Sequence, residues 1–206
     1  AHGVRVHVTV NIIAHNQHLA GLRDYLLYLQ QIKVDALIMA DAGMIALARE
    51  VVPQMEIHLS TQASATNYAT FNFWHQQGVQ RVVAARELSL EEIKEIRSHT
   101  PKTLQIEAFA HGAMCISISG RCLLSHYLTG RDSNLGACTH PCRWQYRLVE
   151  ESRPGEYFPI AEGEEGTYIF NSKDLCMVEY LPELAAAGVS SIKIEGRMNT
   201  PLYVAM

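Results

Sequence analysis

Residues 36–59 read ALIMADAGMIALAREVVPQMEIHL, and this stretch sets the expectation for the fold. Two short runs within it, Ala36–Met39 and Glu56–Leu59, have the length of strands, and the first is continuously apolar. The segment between them, Gly43–Val51, has apolar residues at helical spacing. Continuously apolar runs are typical of strands that are buried on both faces of a parallel sheet, and helices join such strands. The stretch therefore predicts a strand–helix–strand unit.

The same alternation continues along the chain in both directions. Further strands are predicted at Val4–Ile13, Arg81–Ala84, Thr103–Phe109 and Ser191–Ile194. Further helices are predicted at Leu19–Gln31, Asn67–Gln76, Leu90–Ser98 and Leu175–Ala187, with Ser89 and Glu92 forming a capping box at the third of these. Repeated alternation of this kind indicates an α/β fold with parallel strands. Six strands are two fewer than an eight-stranded barrel contains, so the pattern leaves open a barrel that lacks its beginning and an open sheet.

Composition indicates an ordinary soluble protein. The 206 residues are 48 % apolar and 18 % charged, so we expect one α/β domain over residues 1–206. A segment at about 150–167 is acidic and rich in Gly and Pro, and we interpret it as an irregular insertion. The chain shows neither a membrane-spanning run nor a signal-peptide pattern, so a cytoplasmic protein without a membrane partner is expected. The net charge of −4 argues against a broad nucleic-acid-binding surface but allows a local basic patch.

Four of the five cysteines lie close together in the sequence: Cys115, Cys122, Cys138 and Cys142. In a reducing cytoplasm, clustered cysteines more often hold a metal than form disulfides, and thiolates suit both zinc and iron–sulfur clusters. Zinc sites usually contain two tight cysteine pairs, whereas only Cys138 and Cys142 are tightly spaced, which slightly favours a cluster. Cys176 lies on a predicted helix, where we interpret it as a small buried residue and as the reserve fourth ligand.

Polar residues follow nearly every predicted strand, at the positions where the loops of a parallel α/β fold gather into a pocket. They are Asn11, Asp41, Ser60, Thr61, Gln62, Arg86, Glu87, His111, Glu195 and Arg197. Each also has a structural explanation, because Asp41 and Ser60 can cap helices. Arg86 can likewise form an ion pair with Glu195. The coincidence of polar residues at six strand ends favours a functional edge of the sheet.

Longer motifs occur at seven places in the chain. They are EAFAHGAMCISISGRCLLS at 107–125, TGRDSNLGACTHPCRW at 129–144, STQ at 60–62, ARELSLEEI at 85–93, RPGEYFPI at 153–160, YIFNSKDL at 168–175 and SIKIEGRM at 191–198. These motifs resemble those of the collagenase-like peptidases of family U32, and the resemblance covers essentially the whole chain. Within that family, the chain is most similar to the branch of the tRNA hydroxylation proteins.

The resemblance implies a (β/α) barrel-like core with parallel strands, in which this chain lacks the first one or two strands of a TIM-type barrel. It also implies oxygen-independent RNA hydroxylation, foremost the formation of 5-hydroxyuridine at the wobble position of tRNA. In such relatives the cofactor is a cysteine-bound 4Fe-4S cluster, and prephenate is implicated as the source of the hydroxyl group. Carried over to this sequence, the ligands are Cys115, Cys122, Cys138 and Cys142, with Cys176 as the alternative fourth ligand.

The resemblance and the strand-end pattern together give each polar residue an expected role. The catalytic candidates, which orient the hydroxyl donor and the nucleobase, are Arg86, Glu87, Glu107, His111, Lys193, Glu195 and Arg197. The substrate-binding candidates are Asn11, Asp41, Gln62, Arg121, Arg143 and Trp144. The expected partners are tRNA, a small organic acid and a partner subunit of the same family. Two alternatives stay open: a collagenase-like peptidase of unknown catalytic type, and an RNA-binding module stabilised by zinc.

Overall fold

The structure is a computed structural model, and it describes residues 3–113, 115, 117, 122–144, 147–148, 151–156, 158–159, 174–196 and 200–205. Within these residues, nine strands and eight α-helices follow one another along the chain. The strands are β1 His7–Val10, β2 Ala36–Met39, β3 Glu56–Leu59, β4 Arg81–Val83, β5 Gln105–Ala113, β6 Arg147–Leu148, β7 Phe158–Pro159, β8 Asp174–Cys176 and β9 Ser191–Glu195. The helices are α1 Asn16–Leu19, α2 Leu22–Gln31, α3 Ala42–Val51, α4 Tyr68–Gln76, α5 Leu90–Ser98, α6 Leu124–Thr129, α7 Leu181–Ala186 and α8 Pro201–Ala205. The predicted α/β class is confirmed.

Strands β1 to β5 lie side by side in sequence order, and each pairs in parallel with the next. Glu107 of β5 is in register with Val83 of β4 and with Ser191 of β9, so β4 and β9 lie on opposite edges of β5. Gly112 of β5 pairs with β8, which runs antiparallel, and with β9, which runs parallel. Strand β8 therefore lies on the same side of β5 as β4, beyond the point where β4 ends. In the described part of the chain, β1 and β9 do not pair with each other. The fold is therefore an open α/β half-barrel.

Alternate residues of each strand point to opposite faces of the sheet. One face packs against the helices and forms the hydrophobic core, which includes the fully buried side chains of Leu37, Ile57 and Ile106. The other face, here called the inner face, carries buried polar side chains, among them His58 and Glu107. The helix-covered face therefore stabilises the fold, while the inner face brings polar groups together.

Several predicted elements have the observed bounds. The strands Ala36–Met39 and Glu56–Leu59 and the helix Leu90–Ser98 are confirmed to the residue. The capping box is also present, because the Ser89 side chain accepts from the Glu92 backbone and the Glu92 side chain accepts from the Ser89 backbone. The signals at these places are local, because the strands are short runs of strand length and the helix carries its own capping box in Ser89 and Glu92.

Other bounds differ from the prediction. Strand β1 is shorter than Val4–Ile13, and β5 continues past Phe109 as far as Ala113. The helix predicted at Leu19–Gln31 divides into α1 and α2, and Gly21 is the N-cap of α2. These differences lie at element ends, where pairing partners decide how far a strand extends.

The helix predicted at Leu175–Ala187 is wrong. Its first residues form β8, which is followed by a 3-10 helix at Val178–Tyr180 and by the shorter helix α7. The extension of β5 leaves unpaired backbone groups beyond the end of β4, and β8 satisfies them. Cys176 consequently lies on a strand and is exposed, which corrects its interpretation as a small buried residue.

Most of the predicted insertion at about 150–167 lies outside the described residues. In its described part, β7 pairs antiparallel with β6 and forms a separate two-stranded sheet. Among the described residues, no helix has the length and apolar character needed to cross a membrane.

Candidate active site

The parallel strands all end at one edge of the sheet, here called the carboxyl edge. The residues that follow or end these strands there are Asn11, Ser60, Arg86, His111, Cys115 and Glu195. In parallel α/β folds this edge is where ligands bind, because the connecting loops surround it. The side chains predicted at strand ends are therefore brought to the same side of the molecule.

Arg86 connects the end of β4 with the residue that follows β5. Its Nη1 donates a hydrogen bond to Cys115 Sγ at 3.5 Å, and its guanidinium carbon lies 4.0 Å from the centre of the Phe109 ring. A guanidinium held over an aromatic face keeps its donors in one plane while it retains its charge. Arg86 therefore presents a fixed positive charge to the Cys115 sulfur.

Three of the thiols share one electrostatic environment. Burial of the sulfur raises the pKa of the Cys115 thiol, although the Arg86 guanidinium opposes this effect. Charge on Cys138, Cys122 and Glu195 raises the pKa further, which requires these groups to lie near Cys115. Cys115 as a whole is exposed. The thiols predicted from sequence are thus gathered rather than scattered.

Residues 122–144, here called the cysteine segment, fold back across the carboxyl edge. The Ile13 N–H, just after β1, donates to the Asn134 carbonyl oxygen at 3.2 Å. Ser133 Oγ donates to the Cys122 carbonyl oxygen at 2.6 Å and fixes the segment to itself. The chain leaves β5 at one side of the sheet and reaches β1 at the other, so the cysteine segment bridges the strand ends.

The cysteines offer sulfur donors of the kind that both zinc and iron–sulfur clusters use. All five are free thiols, and among the described residues no three His, Cys, Asp or Glu side chains are placed to share a single metal ion. The His140 backbone N–H also donates to Cys138 Sγ at 3.4 Å, a type of hydrogen bond that tunes cluster thiolates.

Two cysteines compete for the fourth position. Cys142 is partly buried in the 3-10 helix Pro141–Arg143 of the cysteine segment. Cys176 of β8 is in register with His111 near the end of β5. Because β5 leads directly toward Cys115, Cys176 lies at the same strand end as the first ligand. Both positions therefore stay candidates on geometry.

Glu107 is the centre of an ion-pair network on the inner face. Its carboxylate accepts from Arg81 Nη1 at 3.1 Å, from Ser191 Oγ at 2.8 Å and from Lys193 Nζ at 3.3 Å. Burial alone raises the pKa of Glu107, but Lys193, the Ser191 hydrogen bond and Arg81 together outweigh it and hold the pKa below its ordinary value. Glu107 is thus an ionised anchor that fixes the orientation of Lys193.

Two cations flank Phe109, a residue that the sequence did not single out. Arg86 stacks on the ring, and Lys193 Nζ lies 5.8 Å from the ring centre. Arg81, which holds Glu107 from the other side, was missed as well. Strand alternation could have found Phe109, because it lies two residues after Glu107 on the same face of β5. Arg81 depends on the register of β4 with β5, which the sequence does not show.

A neutral group of side chains lies at the ends of β1 and β3. Asn11 Nδ2 donates to Ser60 Oγ at 3.1 Å, and the Gln62 backbone N–H donates to the same oxygen at 3.3 Å. Asp41 is the N-cap of α3, where its Oδ1 accepts from Met44 N at 2.9 Å. The structural explanation of Asp41 is confirmed, and its role in binding substrate stays a prediction.

His111 is held by the C-terminal helix α8. Its Nε2 lies 3.1 Å from the Tyr203 carbonyl oxygen, and the two rings lie 4.7 Å apart. A carbonyl oxygen only accepts, so Nε2 carries the hydrogen in this contact. Helix α8 therefore fixes the orientation of the His111 ring.

The remaining predicted residues lie at the margin of the site or outside the described part. Glu87 is exposed in the turn after β4, and Trp144 is 47 % exposed at the end of the cysteine segment. Arg121 and Arg197 lie outside the described residues, as does the side chain of Arg143.

An open half-barrel with thiols, cations and amides at its carboxyl edge belongs to the barrel-type α/β proteins that act at this edge. The model of Peptidase family U32 matches residues 1–206, and the chain belongs to this family. This confirms the resemblance that the motifs indicate.

Two relatives and one solved structure illustrate the similarity. The chain is 43 % identical to tRNA hydroxylation protein P of Escherichia coli K12, over 98 % of this chain and 53 % of the relative. It is 36 % identical to the 23S rRNA 5-hydroxycytidine C2501 synthase of the same strain, over 98 % of this chain and 29 % of that protein. A solved U32 peptidase superposes with a TM-score of 0.55 at 14 % identity, over 94 % of this chain and 70 % of the other, which supports the fold alone. The chain spans about half the length of the first relative.

Proposed function

We propose that this chain forms the thiol-bearing part of an enzyme that hydroxylates RNA without oxygen, and that its product is 5-hydroxyuridine at the wobble position of tRNA. The proposal takes the hydroxyl group from prephenate and places the protein in the cytoplasm, where clustered thiols stay reduced. It names tRNA, the acid and a second subunit of the same family as partners. The observation that carries it is the gathering of Cys115, Cys122 and Cys138 beside Arg86 at the carboxyl edge.

The relatives support this choice of chemistry. One is named a tRNA hydroxylation protein and another an rRNA hydroxycytidine synthase, and both align with nearly the whole of this chain. Since both names describe hydroxylation of RNA, the shared part is the natural place for the shared chemistry.

The donor set fits a 4Fe-4S cluster held by Cys115, Cys122, Cys138 and either Cys142 or Cys176. Such a cluster supplies electron transfer or Lewis acidity when it is bound. The protein residues supply orientation: Arg86 fixes the Cys115 sulfur, and the His140 N–H does the same for Cys138. Zinc stays the alternative metal.

The cations beside Phe109 give the site a place for an anionic donor. Arg86 and Lys193 lie on the same ring, and Glu107 anchors Lys193 from behind. A guanidinium and an ammonium beside the same ring are suited to bind the carboxylates of a small organic acid. Glu195, whose charge reaches Cys115, borders the same place.

The RNA would be met by basic and aromatic side chains of this chain. Arg121, Arg143 and Arg197 carry charges suited to phosphates, and the exposed Trp144 ring is suited to stack on a base that has left its helix. His111 offers Nδ1 for a proton at the same edge.

The test begins with anaerobic purification of the full-length protein. We expect brown protein with four iron and four sulfide per chain, and we expect Cys115→Ala to lose iron and colour. Cys142→Ala and Cys176→Ala decide the fourth ligand, because only one of them should lose the cluster. Colourless wild-type protein with stoichiometric zinc would refute the cluster. Mass spectrometry of tRNA nucleosides from cells that carry each variant then tests the product, and unchanged 5-hydroxyuridine in cells without the protein would refute the substrate.

The family name keeps a peptidase as the second candidate. The described contacts do not support it, because Cys115 Sγ accepts from a guanidinium and His111 Nε2 contacts a backbone carbonyl, so neither contact is the thiol–imidazole hydrogen bond of a nucleophile and its base. Cleavage of gelatin that is abolished by Cys115→Ser but not by iron removal would favour the peptidase instead.

A further inference from the structure

Gln62 lies at the carboxyl edge on the 3-10 helix Thr61–Ala63, shortly after β3. Its backbone N–H donates to Ser60 Oγ at 3.3 Å, and Thr61 Oγ1 donates to the Ala84 carbonyl oxygen at 3.4 Å. The turn is thus fixed both to the end of its own strand and to the neighbouring strand β4. The backbone at Gln62 is therefore held in position by these hydrogen bonds before any ligand binds.

The side-chain oxygen of Gln62 has no partner to accept from. Oε1 is buried, and no donor in the described part of the chain forms a hydrogen bond with it. Buried acceptors in this state are rare, because they lose water without a replacement. Since ligands of α/β folds bind at the carboxyl edge, the missing donor is best supplied by a ligand N–H or O–H group.

Charge divides the carboxyl edge into two halves, and this division limits the class of ligand. At the ends of β1 to β3, Asn11 and Ser60 are uncharged and Asp41 is acidic, so these residues bring no positive charge. Arg86 and Lys193 bring theirs to the half formed by β4, β5 and β9. An acceptor oxygen repels carboxylates and phosphates, so the anionic groups of a substrate belong to the second half. Gln62 faces a neutral group that carries a donor.

We infer that Gln62 binds the Watson–Crick edge of a uracil base, with Oε1 accepting a hydrogen bond from the N3–H group. The inference rests on the proposed function, because it assigns the base of that RNA substrate to one residue. Uracil carries N3–H between two carbonyl oxygens, and a primary amide offers an acceptor and a donor side by side. Cytosine has an unprotonated N3 at the same place, which an acceptor oxygen repels. Gln62 therefore favours uracil over cytosine when Oε1, rather than Nε2, faces N3.

The surroundings of Gln62 suit a base that has left its stack. Asn11 and Ser60 hydrogen-bond to each other beside it and close the site toward the sheet. The cysteine segment reaches the end of β1 through Asn134, and Cys115, which precedes this segment in the chain, contacts Arg86 after β4. Because β3 lies between β1 and β4 in the sheet, a base at Gln62 would lie between these two contacts along the carboxyl edge.

The experiment measures binding of anticodon stem–loop RNA to the anaerobically purified full-length protein by fluorescence anisotropy. Three RNAs carry uridine, N3-methyluridine or cytidine at the wobble position, and the methyl group removes only the N3–H donor. We expect the wild type to prefer uridine by about tenfold or more over both. Gln62→Met should bind all three RNAs alike, at the wild-type affinity for the N3-methyl RNA. Gln54→Met is the matched control, because Gln54 is exposed at the opposite end of β3, and it should keep the wild-type preference.

Each other outcome has a definite meaning. Equal binding of the uridine and N3-methyluridine RNAs by the wild type overturns the inference while leaving the proposed function in place. Absence of RNA binding by the wild type overturns the proposed function itself. Weaker prephenate binding by Gln62→Met, with unchanged RNA preference, assigns the oxygen to the acid and also overturns the inference. If Gln62→Met does not fold, Gln62→Glu replaces it; the retained acceptor should preserve discrimination against N3-methyluridine, and its loss contradicts the assignment.

Discussion

Replacement of Glu107 by Gln tests whether the inner-face network stabilises the protein. The glutamine side chain would keep the shape of the glutamate and its hydrogen bond to Ser191, but it would remove the negative charge that faces two cations. Glu107 is 7 % exposed, and Arg81 and Lys193 contact it at 3.1 and 3.3 Å. The substitution therefore isolates the charge from packing and from the neutral hydrogen bond.

The magnitude follows from burial of the partners. Breaking a fully buried ion pair costs about 3–5 kcal/mol, because the remaining charge stays without compensation. The side chains of Arg81 and Lys193 are 13 % and 28 % exposed, so water can reach both cations in part. We therefore expect Glu107→Gln to lower the free energy of unfolding by about 2–3 kcal/mol at neutral pH.

The same network predicts how the loss depends on pH. The folded protein holds the pKa of Glu107 below the value of an unfolded glutamate. A lowered pKa contributes stability that is complete above the unfolded pKa and is lost as the pH falls through the folded pKa. The wild type and the variant should therefore differ by a constant amount near neutrality, and the difference should close on acidification.

Urea unfolding followed by circular dichroism, at a series of pH values, measures both quantities. Glu95→Gln is the matched control, because Glu95 is exposed on α5 and should change stability little. A Glu107→Gln protein as stable as the wild type at neutral pH would refute the network. A deficit that persists in acid would show that the loss comes from packing rather than from charge.

Three further changes probe other parts of the fold. Gly112→Ala should lower the free energy of unfolding in urea by about 3 kcal/mol, because the added Cβ would overlap the carbonyl oxygen of the facing residue in β9. Gly136→Ala is the control: Gly136 also has a positive φ but lies in open space, so its loss should be about 1 kcal/mol. Equal losses in the two variants would contradict the close approach at Gly112. Ser89→Ala should lower the free energy of unfolding by about 1 kcal/mol through loss of the cap on α5, and an unchanged urea midpoint would count against it. In protein loaded with a cluster, Arg86→Gln should lower the midpoint potential in an EPR-monitored titration, because the donor to Cys115 Sγ favours the more negative reduced state; an unchanged potential would argue that this contact is absent.

The parts of the fold that sequence predicted well are those with local causes. Helix Leu90–Ser98 carries its own cap in Ser89 and Glu92, and β2 is a continuous apolar run, so neither depends on distant residues. The segment containing Cys176 shows the opposite case. Its apolar spacing suits a helix, but the unpaired edge of β5 beyond β4 draws it into β8, and that edge exists only once the sheet has formed.

The sequence predicted where on the sheet the candidate site lies, but not which of its residues contact each other. Strand ends located Asn11, Gln62 and Arg86, because parallel strands must end at one edge, whereas Cys115 was found from the clustering of the cysteines in the sequence. Which of these residues meet is set by contacts that span the chain, such as the bond from Ile13 to Asn134, and no local pattern encodes them. The separation of the two cations from the two amides is likewise a consequence of strand order. Asn11 and Gln62 follow β1 and β3, whereas Arg86 follows β4 and Lys193 lies on β9, so the order β1 to β5 followed by β9 places the cations toward one side of the carboxyl edge.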